Sequence, residues 1–155
     1  MASNLVVKTT TQVNEAGIVF AGFNKVAIII DLPGADPVID ATTRFKKYQD
    51  IEEVKVDFAT TTIEYKKCYD FFNQDEKPSE VFLVAKATSE DIEDVISDFI
   101  SKKGGAYFIA TTLTDVPTLK LMAQYIEVST TRMKFVIASN DADILDGAKN
   151  TDIAS

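Results

Sequence analysis

Histidine is absent from this chain of 155 residues, cysteine occurs once, and glycine occurs only six times. Without imidazole there is no Ser-His-Asp or Cys-His catalysis, no histidine-ligated metal and no histidine pH switch. The lone cysteine, Cys68, excludes an intramolecular disulfide and a cysteine-built zinc site, and is compatible with a reducing, cytoplasmic place of folding. The glycines form neither GxxxxGK[ST] nor GxGxxG, so both familiar phosphate loops are missing. Ala21-Gly22-Phe23-Asn24-Lys25 holds one glycine and one lysine, too little to cradle a polyphosphate. Long apolar runs are missing too: none is longer than Val26 to Ile30, far short of the ~20 residues that cross a bilayer. Met1-Ala2-Ser3-Asn4 carries no basic stretch of the kind that opens a secretory signal.

Basic charge is also scarce. Lys plus Arg number 16 against 24 Asp plus Glu, a formal net of −8. Nucleic-acid binders draw most of their affinity from cations on phosphates, so this balance argues against such a partner and against anionic membrane surfaces. Lys46-Lys47, Lys66-Lys67 and Lys102-Lys103 are isolated pairs. What remains is a chain 46% hydrophobic and 10% aromatic. At this length it can bury roughly 68–70% of its unfolded surface in one domain.

The pattern along the chain predicts an α/β fold: a mostly parallel sheet with βαβαβ crossovers, preceded by an extended, β-prone N-terminal arm. Residues 1–25 are read as that arm or an edge strand, with Leu5, Val6, Val7, Thr9 and Thr11 as its strand-forming residues. Residues 26–155 form the α/β domain. Val26-Ala27-Ile28-Ile29-Ile30 is a β-branched run of the kind covered on both faces. Asp31-Leu32-Pro33-Gly34 and Pro37 then make a loop. Asp50 and Glu53 have capping-box spacing before a short helix with Ile51, Val54 and Phe58 on one face. Thr61 and Glu64 repeat the signal before Tyr65, Cys68, Tyr69 and Phe72, a stripe that faces the core and ends near Pro78.

After the strand Val81–Ala85, Thr88-Ser89 leads into a helix whose apolar side is Ile92, Val95, Ile96, Phe99 and Ile100. Glu90 and Asp91 are read as its first-turn acids, and Lys102, Lys103 and Gly104-Gly105 as its stop. Ala106–Ala110 is the next strand. Thr114-Asp115 then caps a helix with Pro117 in its first turn and Leu119, Met122, Ala123 and Ile126 inward. Lys134–Ala138 is a further strand. Short links between alternating strands and helices imply right-handed parallel crossovers. Thr151–Ser155 reads as the start of another helix, so the alternation is expected to continue past it.

Chemistry is thin along this scaffold. Asp141, Asp143 and Asp146-Gly147 have a calcium-loop look, but Leu145 holds the third ligand position and the twelfth is the shorter Asp152, not the bidentate glutamate that such a loop uses. Turn formation by short acids accounts for them. Cys68 lies on an apolar stripe, without the basic setting a reactive thiolate needs. In an open parallel sheet ligands lie beyond the carboxyl ends of the strands. There Thr111, Thr112, Asp115 and Asp141 are the residues that a ligand-binding or regulatory domain, or an enzyme, would use. They contain no evident base–nucleophile pair.

Four stretches, in order, resemble the contractile-tail sheath proteins of bacteriophages and prophages, in their sheath-like branch. Arg44-Phe45-Lys46-Lys47-Tyr48 with Ile51-Glu52-Glu53-Val54 and Phe58 is similar to that family's loop and short helix after its first strand. Thr61 to Phe72, followed by Asn73-Gln74-Asp75-Glu76-Lys77-Pro78, is similar to its "s-x-E-Y-x-x-A-x-x-F-F-x-Q … P" segment, with Cys68 where alanine is usual. Glu80 to Lys86 resembles the strand after that proline. Ala106 to Ala138 follows the family's strand–helix–strand order, and Thr151-Asp152-Ile153-Ala154-Ser155 resembles its "S-D-I-A" helix start. The family usually carries a β-rich insertion between the third and fourth stretches, which this chain passes straight through.

The resemblance implies a structural subunit of the virion tail, folded in the bacterial host cytoplasm, that assembles with copies of itself as hexameric rings stacked on a tail tube protein. It implies no enzymatic activity and no cofactor, because the energy of contraction resides in the metastable lattice. Under that reading Leu5–Thr11 links subunits by adding a strand to a neighbour's sheet edge.

Overall fold

A computed structural model of the chain describes residues 24–32, 39–40 and 42–137. Within them the fold is α/β. Strand β1 (Lys25–Asp31) is followed by β2 (Phe45–Tyr48), helices α1 (Ile51–Asp57) and α2 (Ile63–Phe72), and strand β3 (Glu80–Lys86). Helix α3 (Ile92–Lys103), strand β4 (Phe108–Thr111), helix α4 (Val116–Val128) and strand β5 (Lys134–Val136) complete it. The sheet order is β2-β3-β1-β4-β5, with β2 antiparallel to β3 and the other pairings parallel.

The central strands follow from their sequences. Val26–Ile30 and Val81–Ala85 are buried throughout, because β1 and β3 carry helices on both faces. Alternate residues feed two cores. Ala27, Ile29, Phe82 and Val84 pack with Val95, Ile96 and Phe99 of α3 and Leu119 and Met122 of α4. Val26, Ile28, Ile30, Val81, Leu83 and Ala85 pack with Val54 and Phe58 around α1, and Cys68 and Phe72 of α2. Helix α3 ends where expected: Gly104 adopts the left-handed conformation, φ 76°, and its N–H donates to Ile100 O at 2.9 Å.

Several local expectations are corrected. Arg44–Tyr48, which the resemblance places in a loop, contains strand β2; Phe45 packs into the α3 core and Tyr48 into the opposite one. The lysines between them are held by ion pairs, Lys46 to Asp57 at 2.6 Å and Lys47 to Glu80 at 3.0 Å. The cap of α2 is Thr62, whose hydroxyl accepts from Tyr65 N–H at 3.3 Å, one residue later than Thr61. Tyr69 is half exposed and stacks on Tyr65, at the margin of a stripe narrower than its spacing implied. In the Asp50 cap, Glu53 accepts from Gln49 N–H instead of closing back on Asp50. The N-cap of α3 is Asp91, its first-turn acids are Glu93 and Asp94, and Glu90 stands before the helix with another task. Strand β4 begins at Phe108, and β5 ends at Val136 as a partly exposed strand, the outermost on its side among the described residues.

Candidate functional site

The crossovers fix where a ligand would sit. From β1 the chain moves one way to β3, then back across β1 to β4 and on to β5. Such a reversal opens a crevice at the carboxyl ends of the strands flanking it, here β1 and β4. Thr111 and Thr112 stand there. Thr111 is buried, donates its hydroxyl to Ile29 O at 3.0 Å and accepts from Leu113 N–H at 2.9 Å. The Thr112 N–H donates to the same Ile29 carbonyl at 3.0 Å. These bonds stitch β1 to β4 across the mouth of the crevice.

Asp115 caps α4, accepting from the Thr118 hydroxyl at 2.7 Å and the Thr118 N–H at 3.0 Å. That hydroxyl, then that amide, hold its carboxyl below the usual range. Replacing Asp115 with alanine is expected to lower the denaturation midpoint modestly, as loss of an N-cap does. Urea titration monitored by circular dichroism checks this. Asp141, the fourth residue expected at this edge, lies outside the described residues.

Beside the crevice a polar recess of about 400 Å³ is lined by Leu32, Arg44, Ala87, Glu90 and Asp94, among others. Its centre is an ion pair that spacing along the chain did not disclose. The two terminal nitrogens of Arg44 donate to the two carboxylate oxygens of Glu90, and one of them also donates to Ala85 O at 2.9 Å. Glu90 accepts from Ala87 N–H as well, at 3.1 Å. The Arg44 hydrogen bonds hold the Glu90 carboxyl below its usual range against the opposing effect of burial. A bidentate pair of this kind fixes position and orientation. It fastens β2 to the turn ahead of α3.

Elsewhere the chemistry is quiet. Burial, with a smaller contribution from Glu64, pushes the Cys68 thiol up to about 12, so it stays protonated and packs as an apolar group. Among the described residues no group of three or more acidic or thiol side chains is placed to hold a metal ion. None of their helices is long and apolar enough to cross a membrane.

The other candidate surface is the β5 side of the sheet. Strand β5 pairs with β4 alone among the described residues, so none of them occupies its outer backbone edge. Alternate residues Met133, Phe135 and Ile137 pack toward α4, and Val136, on the opposite face, is 43% exposed. Helix α4 presents Leu121 and Val128 outward, seven residues apart and so on one side, with Val128 80% exposed. Lys120 and Glu127 are its only charged residues. The arm residues Leu5, Val6, Val7, Thr9 and Thr11 lie outside the described residues.

Compared with models of known protein families the chain matches none, and no curated protein sequence matches it.

Proposed function

We propose that the chain is a structural subunit of a contractile phage or prophage tail sheath, working by contact with copies of itself and with a tail tube protein. The observation that carries this reading is that β5 has no outer neighbour among the described residues, together with the exposed apolar side chains of α4, the helix packed on it. An edge strand offers a row of N–H and C=O groups to an extended segment, and main-chain pairing supplies the affinity. Leu5–Thr11 has the composition such a segment needs. The ordered resemblance to sheath proteins supports the same reading. So does the use of Thr111, Thr112 and Asp115, whose polar groups serve β1–β4 stitching and a helix cap.

Electron microscopy and light scattering of the purified chain across protein and salt concentrations test it. Rings or tubes are expected from the whole chain, and deletion of residues 1–12 is expected to leave folded particles that no longer associate. A whole chain that stays monomeric throughout would overturn the assembly reading. Unchanged assembly after the deletion would overturn the role of the arm.

A further inference from the structure

Among the described residues the two faces of the sheet are covered unequally. On one, α3 and α4 reach from β3 to β5. On the other, α1 and α2 cover β2, β3 and β1, and the register then places Phe108 beside Val26, and Val136 beside Ala110, farther out. At the amino-terminal end of that second face lies a recess of about 290 Å³, with Val26, Phe71, Pro78, Phe108 and Val136 as its apolar lining and Asn24 at its edge.

We propose that Ile18-Val19-Phe20-Ala21-Gly22-Phe23 of the same chain docks in this recess, with an aromatic ring of Phe20 or Phe23 on Phe108 and Phe71. Connectivity argues for it. The segment runs directly into Asn24, whose carbonyl is anchored by Ser79 N–H at 2.9 Å, Glu80 N–H at 3.2 Å and the Ser79 hydroxyl at 3.1 Å. From that anchor, four extended residues reach up to ~13–14 Å. Two strand spacings, from β1 to β5, need only ~10 Å. Chemistry argues for it as well, because the segment is uncharged and carries two phenylalanines. Residues 138–155, the other long stretch outside the described residues, follow the opposite, carboxyl end of β5 and carry Asp141, Asp143, Asp146 and Asp152. Desolvating four carboxylates in a recess whose polar lining, Gln74, Glu76 and Lys77, offers one cation already next to a carboxylate in sequence would be costly. Docking would fix the base of the N-terminal arm to its own sheet. It stands on the fold and is independent of the sheath reading.

The chain contains no tryptophan, so a Phe20→Trp substitution gives a single reporter. Its emission is expected to be blue-shifted against free tryptophan amide and several-fold less open to iodide quenching, equally at every protein concentration. Val136→Asp, at a half-exposed position, is expected to undo both changes without altering the far-ultraviolet circular dichroism. Val56→Asp on α1 is expected to leave them in place. A Phe23→Trp chain repeats the readout next to Asn24. Solvent-exposed emission from both reporters would overturn the proposal. So would burial that ignores Val136→Asp, or burial that vanishes on dilution, which would assign the recess to a second copy.

Discussion

Replacing Phe99 with alanine is expected to lower the unfolding free energy by about 3–5 kcal/mol, the range for removing a fully buried aromatic ring. Phe99 is 1% exposed on the inner side of α3. Its ring meets Phe82 of β3 at 5.4 Å, edge to face, and Phe45 of β2 at 5.8 Å. Three elements therefore lose their common contact, and neighbours on the regular ladder β2·β3 cannot collapse inward without breaking register. A domain of this kind holds only about 5–15 kcal/mol in all, so the loss takes a large share. The denaturation midpoint should fall with little change in slope. By contrast Val56→Ala, at a side chain 85% exposed, should stay within about 0.5 kcal/mol. A midpoint for the Phe99 variant close to that of the Val56 variant would show that α3 is not what holds β2 in place.

What the sequence disclosed, and what it hid, divides along the range of the interactions. The β-branched run of β1, the 3.6-residue periodicity of α3 and the glycine stop at Gly104 are local signals, and the structure places them where they were read. Strand β2 was hidden because Phe45 and Tyr48 serve opposite cores, and the lysines between them are neutralised from Asp57 and Glu80. No window of a few residues contains those partners. The same holds at the strand ends. Thr111 and Thr112 were legible as residues at a carboxyl edge, but the carbonyl they bind belongs to Ile29, 82 residues before Thr111. Glu90 looked like a helix-start acid because its true partner, Arg44, lies 46 residues away. The alternation implied parallel neighbours, but strand order, and with it the place of β5 at the end of the described sheet, required the three-dimensional arrangement.

The Arg44–Glu90 pair should make the fold acid-sensitive in a way that one substitution removes. Both side chains are about four-fifths buried, and hydrogen bonds to charged groups of this sort contribute about 1.5–3 kcal/mol. Glu90→Gln is expected to cost that much at pH 7. The pH dependence follows from the direction of the shift: the folded-state pKa of Glu90 lies below its ordinary value, chiefly through the Arg44 hydrogen bonds. Its contribution is therefore complete above the unfolded value of ~4.3 and is lost as pH falls through the folded one. The gap between native chain and variant should be widest near neutrality and should narrow as pH falls below that unfolded value. Parallel stability curves across that range would mean that Glu90 gains nothing from its charge in the folded state. The comparison also separates scaffold from site. A carboxylate poised for a bound ligand would change binding when replaced and leave stability nearly alone, whereas a clamp between β2 and the turn before α3 declares itself in the stability of the unliganded chain.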